Sequence, residues 1–373
     1  MKPLTEYCTL NMGQSPDSKT YNEQGNGIPF YQGNADFGEV HPKTRVWCSA
    51  PVKIAEDGDI LISVRAPIGA MNMSVERCCI GRGLAAITPI RERCDKQFLY
   101  YALQSKVDSL IAQGTGSTFK AISKKVLEAT PIPAYNIEDQ QKITERLCRV
   151  DNAIAARREQ LKSMEQLVKS RFIELFDDPM NGTSKWKVST IGEQFNVTSG
   201  GTPATGEKAY WDNGTIPWIG SNMCQDTILI KNDGKFITEE GYIHSSAKWF
   251  YKGTVLVALV GATIGKTALL RFDTTTNQNI AAIDVNENAA FSSEFVFYHM
   301  QMLYAKFMEI GNGKFKMANQ GFIRQLPLVC PPLALQQRFA AFVEQVDKSK
   351  LAVQKGLQEL EILKKSLMQQ YFG

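Results

Sequence analysis

The chain alternates between two kinds of hydrophobic pattern. Its first part contains short apolar runs separated by Gly, Pro, Asn and Asp, and the runs at 28–31 (Ile-Pro-Phe-Tyr) and 60–64 (Ile-Leu-Ile-Ser-Val) are typical of strands. Farther along, apolar residues form a seam with near-heptad spacing: Ile143, Leu147, Val150, Ile154, Leu161, Met164, Val168 and Leu175. A seam this narrow favours a coiled-coil helix over a helix packed on a broad core face.

The same succession then occurs a second time. A strand is predicted at 255–260, and a second seam follows: Phe339, Val343, Val346, Val353, Leu357, Leu360 and Leu367. A shorter helix is predicted before each seam, over 97–111 and 294–308. No Pro interrupts either seam, so each predicts a helix of about 35 residues, roughly 50 Å long. Because neither helix can bury its stripe alone, we expect the two long helices to pack on each other.

Short motifs recur in the same order in both halves. Among the pairs of copies are Gly-Ile-Pro-Phe-Tyr-Gln-Gly-Asn at 27–34 and Thr-Ile-Pro-Trp-Ile-Gly-Ser-Asn at 215–222, Ile68-Gly69 and Ile264-Gly265, a Gly-x-Gly loop at 114–120 and 311–316, a Pro-bearing strand at 131–133 and 327–329, and Gln140-Gln141 and Gln336-Gln337. The repeat is as long as a whole domain, which indicates a duplicated half rather than a solenoid.

These patterns predict a mixed α/β (α+β) protein with a pseudo-two-fold internal repeat. The first globular domain is assigned to 1–135 and the first long helix to 136–178. The second globular domain is assigned to 179–332 and the second long helix to 333–373. Helix breakers and turn formers at 177–184 (Asp-Asp-Pro-Met-Asn-Gly-Thr-Ser) mark the boundary between the halves.

Composition narrows the class of protein. The chain has 373 residues, of which 43% are hydrophobic and 21% charged, as in a globular protein with room for two or three domains. No apolar run approaches the ~20 residues of a membrane span, and the first residues form no apolar signal core. We therefore expect a cytoplasmic protein without a membrane partner. The net charge of +4 is compatible with a polyanionic partner but does not identify one.

Residues that build metal and catalytic centres are sparse. The 8 cysteines include no Cys-x-x-Cys, and the 3 histidines are not clustered, so neither a metal site nor a histidine-based triad is predicted. The run at 261–267 (Gly-Ala-Thr-Ile-Gly-Lys-Thr) is too short between its glycines for a nucleotide-binding loop, which favours a turn joining two strands. The Asn/Asp-Pro-Pro-Tyr/Phe motif of adenine methyltransferases is missing. We therefore expect no catalytic centre, metal or cofactor in this chain.

In the order of its motifs, the chain resembles the specificity subunits of type I restriction–modification systems. The resemblance covers nearly the whole chain, because individually weak motifs keep the same order in both halves. It implies two target-recognition domains that each read half of a split, asymmetric duplex DNA site. It also implies that the long helices form an antiparallel coiled coil whose length sets the gap. The implied partners are methyltransferase subunits, which bind S-adenosylmethionine, and restriction subunits, which use ATP and Mg²⁺.

The Gly-x-Gly loops contain the first candidate DNA contacts. Lys120 and Lys316 occupy equivalent places in these loops, where glycine allows the backbone to approach a phosphate. Ser117 and Lys314 accompany them. Each of the four residues is also interpretable as a solvated loop residue.

The repeated turns contain further candidates. Arg65 and Lys266 flank the Ile-Gly turns, and an arginine can read guanine in the major groove. A charged residue on the surface at a strand end is the alternative interpretation. Asn34 and Asn222 close the Ile-Pro-aromatic motif, where a side-chain amide could contact adenine or cap a turn.

The stretches that differ most between the halves are about 35–57 and 223–252, and we expect them to distinguish the two half-sites. The cations in these stretches that are candidate contacts are Lys43, Arg45, Lys248 and Lys252. The sequence leaves two other functional classes open. One is a coiled-coil scaffold without a role on DNA, and the other is a DNA methyltransferase or nuclease with an unrecognised active site.

Overall fold

The structure is a computed structural model that describes residues 1–116, 120–182, 184–310 and 317–373. The chain divides into two compact units. Unit 1 consists of Met1–Arg158 and Gln354–Gly373, and unit 2 consists of Glu159–Val353. Each of two long helices therefore begins in one unit and ends in the other.

Unit 1 combines short strands with helices. Its elements in chain order are β1 (Lys2–Pro3), β2 (Cys8–Met12), β3 (Tyr21–Asn22), β4 (Ile28–Tyr31), β5 (Trp47–Cys48), β6 (Ile54–Ala55), β7 (Ile60–Ser63), β8 (Met71–Met73), β9 (Cys78–Ile80), β10 (Leu84–Pro89), α1 (Lys96–Ser105), α2 (Val107–Ala112), α3 (Lys124–Ala129), β11 (Pro131–Ile132) and the first part of α4 (Ile137–Phe176). An antiparallel sheet has the order β2-β10-β7-β8, and a second sheet has the order β3-β5-β4-β9-β6. The strands predicted at 28–31 and 60–64 are confirmed as β4 and β7.

Unit 2 repeats this arrangement. Its elements after the last part of α4 are β12 (Lys187–Thr190), α5 (Ile191–Gln194), β13 (Asn196–Ser199), β14 (Ile216–Ile219), β15 (Thr227–Leu229), β16 (Phe236–Ile237), α6 (Glu239–Ile243), β17 (Trp249–Phe250), β18 (Val255–Ala258), β19 (Thr267–Leu270), β20 (Thr274–Thr276), β21 (Ile280–Asp284), α7 (Ser293–Met302), α8 (Tyr304–Met308), α9 (Gln320–Gln325), β22 (Pro327–Cys330) and the first part of α10 (Leu333–Phe372). Its sheets have the orders β13-β21-β18-β19-β15 and β16-β14-β20-β17. The predicted α+β class and internal repeat are confirmed.

The central strands explain the layering within each unit. All four residues of β7 are buried, and successive side chains of a strand point to opposite faces. Ile60 and Ile62 accordingly pack with α1 in one core, whereas Leu61 packs with Tyr31 in another. A sheet buried on both faces reads as a continuous apolar run, which is why β7 was recognisable in the sequence.

The run at 261–267 is a turn between the antiparallel strands β18 and β19, as predicted. Gly265 has a φ of +77°, and a Cβ there would lie 2.6 Å from the ring of Phe307 on α8. Gly69 of unit 1 has a φ of +89°, and its Cβ would lie 2.6 Å from Val107 on α2. The second residue of the repeated Ile-Gly motif is therefore glycine for two reasons: its positive φ and its close packing against a helix.

The helices predicted at 97–111 and 294–308 are each interrupted, which corrects the expectation of continuous helices. Lys106 separates α1 from α2, and Leu303 separates α7 from α8. At both positions the main-chain N–H donates to the carbonyl three residues earlier. Such a tightened turn redirects the axis, and α2 and α8 then pack on the Ile-Gly turns.

The last turn of each long helix closes a hydrophobic core. In unit 1, the fully buried Phe372 of α10 lies 5.2 Å from Phe98 of α1, centroid to centroid. In unit 2, Phe176 of α4 lies 4.8 Å from Phe295 of α7, the residue equivalent to Phe98. Phe172 packs on the same ring at 5.7 Å. The predicted seam included Leu175, which is partly buried against this core, but not Phe172 or Phe176, because these two follow Val168 at intervals of four residues rather than at heptad spacing.

Contacts between α4 and α10 in unit 1 are antiparallel, as the family resemblance implied. Residues later in α4 meet residues earlier in α10. The polar contacts that show this are Arg146–Tyr371 (2.9 Å), Asp151–Lys364 (2.7 Å) and Arg158–Glu361 (2.9 Å). The hydroxyl of Tyr101 on α1 also donates to Asp151 at 2.7 Å, which ties the helix pair to the globular part of the unit.

A buried glutamine joins each long helix to the helix of the preceding globular part. Gln140 is completely buried; its amide accepts from the N–H of Asp95 at 2.9 Å and donates to two carbonyls, those of Arg93 and Tyr135. In unit 2, Gln336 forms the same three bonds. They join it to the N–H of Ser292 and to the carbonyls of Ala290 and Pro331. Asp95 and Ser292 are the N-caps of α1 and α7.

Replacement of either buried glutamine should destabilise its unit. Gln140→Ala or Gln336→Ala leaves one N–H and two carbonyls without partners, so we expect a loss of roughly 2–5 kcal/mol in urea unfolding. The neighbouring glutamines, Gln141 and Gln337, are exposed and provide matched controls. Gln141→Ala and Gln337→Ala should change stability by less than about 0.5 kcal/mol. Equal effects at the buried and exposed positions would contradict the proposed hydrogen-bond role.

Unit 2 contains a buried histidine that has no counterpart in unit 1. His299 of α7 is completely buried between aromatic rings, and its Nε2 lies 2.8 Å from the carbonyl oxygen of Pro327. Among the residues that the structure describes, its Nδ1 has no hydrogen-bond partner. Burial lowers the pKa of His299 to about 4, because the charged form loses its hydration. The equivalent residue of α1 is Ala102.

Unit 2 should therefore lose stability in mild acid. A histidine whose pKa is about 4 when folded and ~6.5 when unfolded contributes its full stability above pH 6.5, and that contribution falls as the pH drops toward 4. Between pH 7.5 and 5 we expect a loss of about 2 kcal/mol, measured as the difference between wild type and His299→Gln in urea unfolding. His244→Gln, at an exposed position of the same unit, is the control. The same pH dependence in all three proteins would refute the assignment.

Candidate nucleic-acid interface

Three loops of unit 1, residues 64–66, 81–83 and 120–122, meet where β7 and β9 end and β10 begins. We call this surface the loop edge of unit 1. Main-chain hydrogen bonds hold the loops together and join them to β4: Val64 N to Gly83 O (2.9 Å), Ala66 N to Lys120 O (3.1 Å), Ile122 N to Val64 O (2.9 Å) and Gly81 N to Tyr31 O (2.8 Å). Each loop presents one exposed cation: Arg65, Arg82 and Lys120. In the described part of the chain, none of the three forms an ion pair.

Arg82 was not among the contacts predicted from the sequence. It lies between Gly81 and Gly83. Both positions are glycine because Gln32, the residue after β4, packs closely against the loop. A Cβ on Gly83 would lie 2.4 Å from the carbonyl oxygen of Gln32, and one on Gly81 would lie 3.0 Å from its Cα. Both glycines therefore allow the loop to pack on this turn. The Gly-Arg-Gly sequence was the available signal, but it has no counterpart in the second half.

Arg45 is held beside the same turn by Asp36. The guanidinium lies 2.5 Å from a carboxylate oxygen of Asp36 and donates to the carbonyl of Ala35 at 3.2 Å. The other carboxylate oxygen accepts the N–H of Gln32 at 2.8 Å. The side chain of Arg45 is nevertheless 61% exposed, so the ion pair fixes one side of the guanidinium and leaves the other available. Lys43 is exposed nearby.

Asn34 and Asn222 both lie in short 3₁₀ turns that follow the Ile-Pro-aromatic strands. The N-cap of these turns is Gly33 or Gly220, and neither asparagine caps its turn. Asn222 is exposed, whereas Asn34 is half-buried. The turn-cap interpretation is therefore wrong, and both amides stay candidate contacts.

Unit 2 has the same loop edge, built from residues 219–222, 259–261, 277–279 and 317–318. Equivalent main-chain bonds hold it together: Leu259 N to Asn279 O (2.8 Å), Ala318 N to Leu259 O (2.8 Å) and Asn277 N to Ile219 O (3.1 Å). The side chains differ, because Val260 replaces Arg65 and Gln278 replaces Arg82. The backbone frame is thus shared, while the groups that it presents are not.

Lys266 is not placed like Arg65. Its ammonium lies 2.6 Å from a carboxylate oxygen of Asp226 and 4.6 Å from the ring centre of Tyr304. The other oxygen of Asp226 accepts from the main-chain N–H and the hydroxyl of Thr267. Only a third of the Lys266 side chain is exposed, so in this structure it holds the start of β19.

Lys248 and Lys252 lie at opposite ends of β17, and both are exposed. The pairing of β17 with β20 places Lys248 toward the Thr276 end, near the loop edge of unit 2, and Lys252 toward Asp273 at the other end. The candidates that lie outside the described residues are Ser117, Lys314 and Lys316.

The described residues contain no candidate metal site. No group of three or more His, Cys, Asp or Glu side chains there could hold a metal ion. All eight cysteines are free, and burial raises the pKa of Cys8, Cys94 and Cys224 to about 12. These thiols are therefore neutral near pH 7. Within the same residues, no helix is long and apolar enough to span a membrane.

The repeated fold is that of a known family. The family model described as "Type I restriction modification DNA specificity domain" matches residues 1–166 and again 183–362. The chain belongs to this family, the specificity subunits of type I restriction–modification systems. The two matches correspond to the internal repeat.

Named relatives agree with this assignment. The chain is 42% identical over 164 residues to a protein of Methanocaldococcus jannaschii that is provisionally named the MjaX specificity subunit of a type I restriction enzyme; the match covers 44% of this chain and 39% of that protein. It is 22% identical to the MjaIX specificity subunit of the same organism, over 99% of this chain and 91% of the relative.

Solved structures share the fold. The type I specificity subunit of M. genitalium matches with a TM-score of 0.57 at 17% identity and covers 100% of this chain and 95% of its own. A chain from a structure on complex assembly and conformational transition of the type I restriction–modification system matches with a TM-score of 0.62 at 18% identity, over 99% of this chain and 96% of its own.

A phosphate contact at the loop edge predicts a particular salt response. Lys120→Ala should weaken binding to all duplexes alike and reduce the slope of log K against log salt by about 0.9, measured by fluorescence anisotropy. Arg91→Ala is the matched control, because Arg91 is exposed beyond the opposite end of β10, roughly 20 Å away. A slope that changes equally in both variants, or in neither, would exclude a phosphate contact at Lys120.

Proposed function

We propose that the chain recognises a split, asymmetric site on duplex DNA, with one half-site read by each unit. The observation that carries this proposal is the pair of loop edges. Both units hold corresponding loops with three equivalent main-chain bonds, yet they present different side chains. A shared frame with different reading groups suits two different half-sites better than a palindrome.

The side chains at the edges have the chemistry that DNA recognition needs. Exposed lysines such as Lys120 and Lys248 can contact phosphates, which positions a protein without selecting a sequence. Arg65 and Arg82 can donate in pairs to the major-groove edge of guanine. Arg45, oriented by Asp36, adds a third guanidinium at the same edge. The reading surface of unit 1 is thus cationic and preorganised.

The proposal assigns no catalysis to this chain. Methylation and cleavage would belong to methyltransferase and restriction subunits that dock on it, and S-adenosylmethionine, ATP and Mg²⁺ would bind in those partners. Membership of the specificity-subunit family and the names of the relatives support this division of labour. Its place of action would be the cytoplasm, where the host DNA lies.

The proposal is tested by determining which DNA sequence the complex methylates. The full chain, co-expressed with the modification subunits of its own genome, should methylate adenines in a motif with two unlike blocks separated by a fixed gap. The double variant Arg65→Ala, Arg82→Ala should relax or change one block and leave the other block and the gap unchanged. Sequencing of methylated genomic DNA from both strains measures this directly.

Three outcomes would contradict the proposal. A single contiguous or palindromic motif would exclude one half-site per unit. Changes in both blocks of the double variant would exclude the assignment of one block to unit 1. Methylation or cleavage of DNA by the purified chain alone would establish an enzyme in its own right.

A further inference from the structure

The loop edge of unit 2 is rich in side-chain amides. Asn277, Gln278 and Asn279 form the loop that in unit 1 is Gly81-Arg82-Gly83. Asn222 is exposed in the adjoining turn. Amides carry a donor and an acceptor but no charge, so this edge differs from that of unit 1 in chemistry rather than only in detail.

Gln278 is exposed, but its amide is oriented by a neighbour. The hydroxyl of Thr202 donates to its Oε1 at 2.5 Å. Thr202 is itself held in place, because the indole of the buried Trp218 donates to the carbonyl of the preceding Gly201 at 3.1 Å. One lone pair of Oε1 is therefore occupied, and within the described residues no hydrogen bond uses the other lone pair or the Nε2 hydrogens.

The loop under Gln278 is also fixed. The N–H of Asn277 donates to Ile219 at the end of β14, and its side-chain Oδ1 accepts the N–H of Asn279 at 3.1 Å. These bonds fix the backbone on both sides of Gln278. The segment that contains Ser246 packs against Gly201. Lys248 is exposed in the same segment and places a positive charge near the loop edge.

An oriented glutamine amide matches one base edge in particular. In the major groove, adenine presents N7 as an acceptor beside N6 as a donor, and a Gln amide can bond both at once. Guanine presents two acceptors there, which suit an arginine. The replacement of Arg82 by Gln278 at equivalent places therefore predicts different bases at equivalent positions of the two half-sites.

We infer that Gln278 is a specificity-determining residue that reads an adenine in the half-site contacted by unit 2, and that Thr202 is its positioning residue. This inference rests on the proposed function. It also moves part of the half-site discrimination out of 223–252, into a loop whose backbone frame is common to both units.

The experiment is selection from a random duplex library by the full chain with its modification subunits. Wild type should enrich two blocks, one of which requires an adenine at a single position. Gln278→Ala should reduce that preference about 10- to 100-fold, and Gln278→Arg should favour guanine there. The other block should stay unchanged. Gln345→Ala, at an exposed position of α10, is the matched control and should leave both blocks unchanged.

Thr202 needs a test that separates positioning from folding. Thr202→Val should weaken the preference for adenine, whereas Thr202→Ser, which keeps the hydroxyl, should retain the wild-type preference. The midpoint of urea unfolding, measured for both variants, should stay at the wild-type value.

The possible failures are distinguishable. If Gln278→Ala keeps every base preference, or weakens all positions equally, the inference about adenine is wrong while the proposed function stands. If wild type enriches no sequence at all, the proposed function itself fails.

Discussion

The structure depends on the burial of aromatic side chains at the ends of two long helices. Phe372 of α10 completes the core of unit 1, and Phe172 and Phe176 of α4 complete that of unit 2. Removing one such buried ring typically costs ~3–5 kcal/mol, a large fraction of the ~5–15 kcal/mol that holds a domain folded. The buried hydrogen bonds of Gln140 and Gln336 lie beside these cores, on the same long helices.

The duplication separates what must stay the same from what is free to change. The Ile-Gly turn, the buried glutamine and the hydrogen bonds between loops recur in both units because each satisfies a steric or hydrogen-bonding requirement. The exposed side chains on those loops are not part of these shared requirements, although Gln278 accepts a hydrogen bond from Thr202, so Arg82 in one unit and Gln278 in the other are both compatible with the fold. Different reading groups can therefore occupy one frame.

The sequence was informative wherever a pattern had a single physical cause. Buried strands such as β7 and the long helices follow from apolar runs and seams. Contacts between distant residues left no such pattern. The pairing of Lys266 with Asp226, the core role of Phe172 and the orientation of Gln278 by Thr202 each join residues that no local rule connects. Arg82 was not predicted because its flanking glycines are required by contacts with Gln32, which is far away in sequence.

The division of the chain between the units has a consequence for the order of synthesis. Residues Gln354–Gly373 belong to unit 1, yet they are made after all of unit 2. The core of unit 1 therefore cannot close between Phe98 and Phe372 until Phe372 has been made, although the strands of unit 1 are made first. The half whose strands are translated first thus keeps an uncovered apolar surface around Phe98 throughout the synthesis of unit 2.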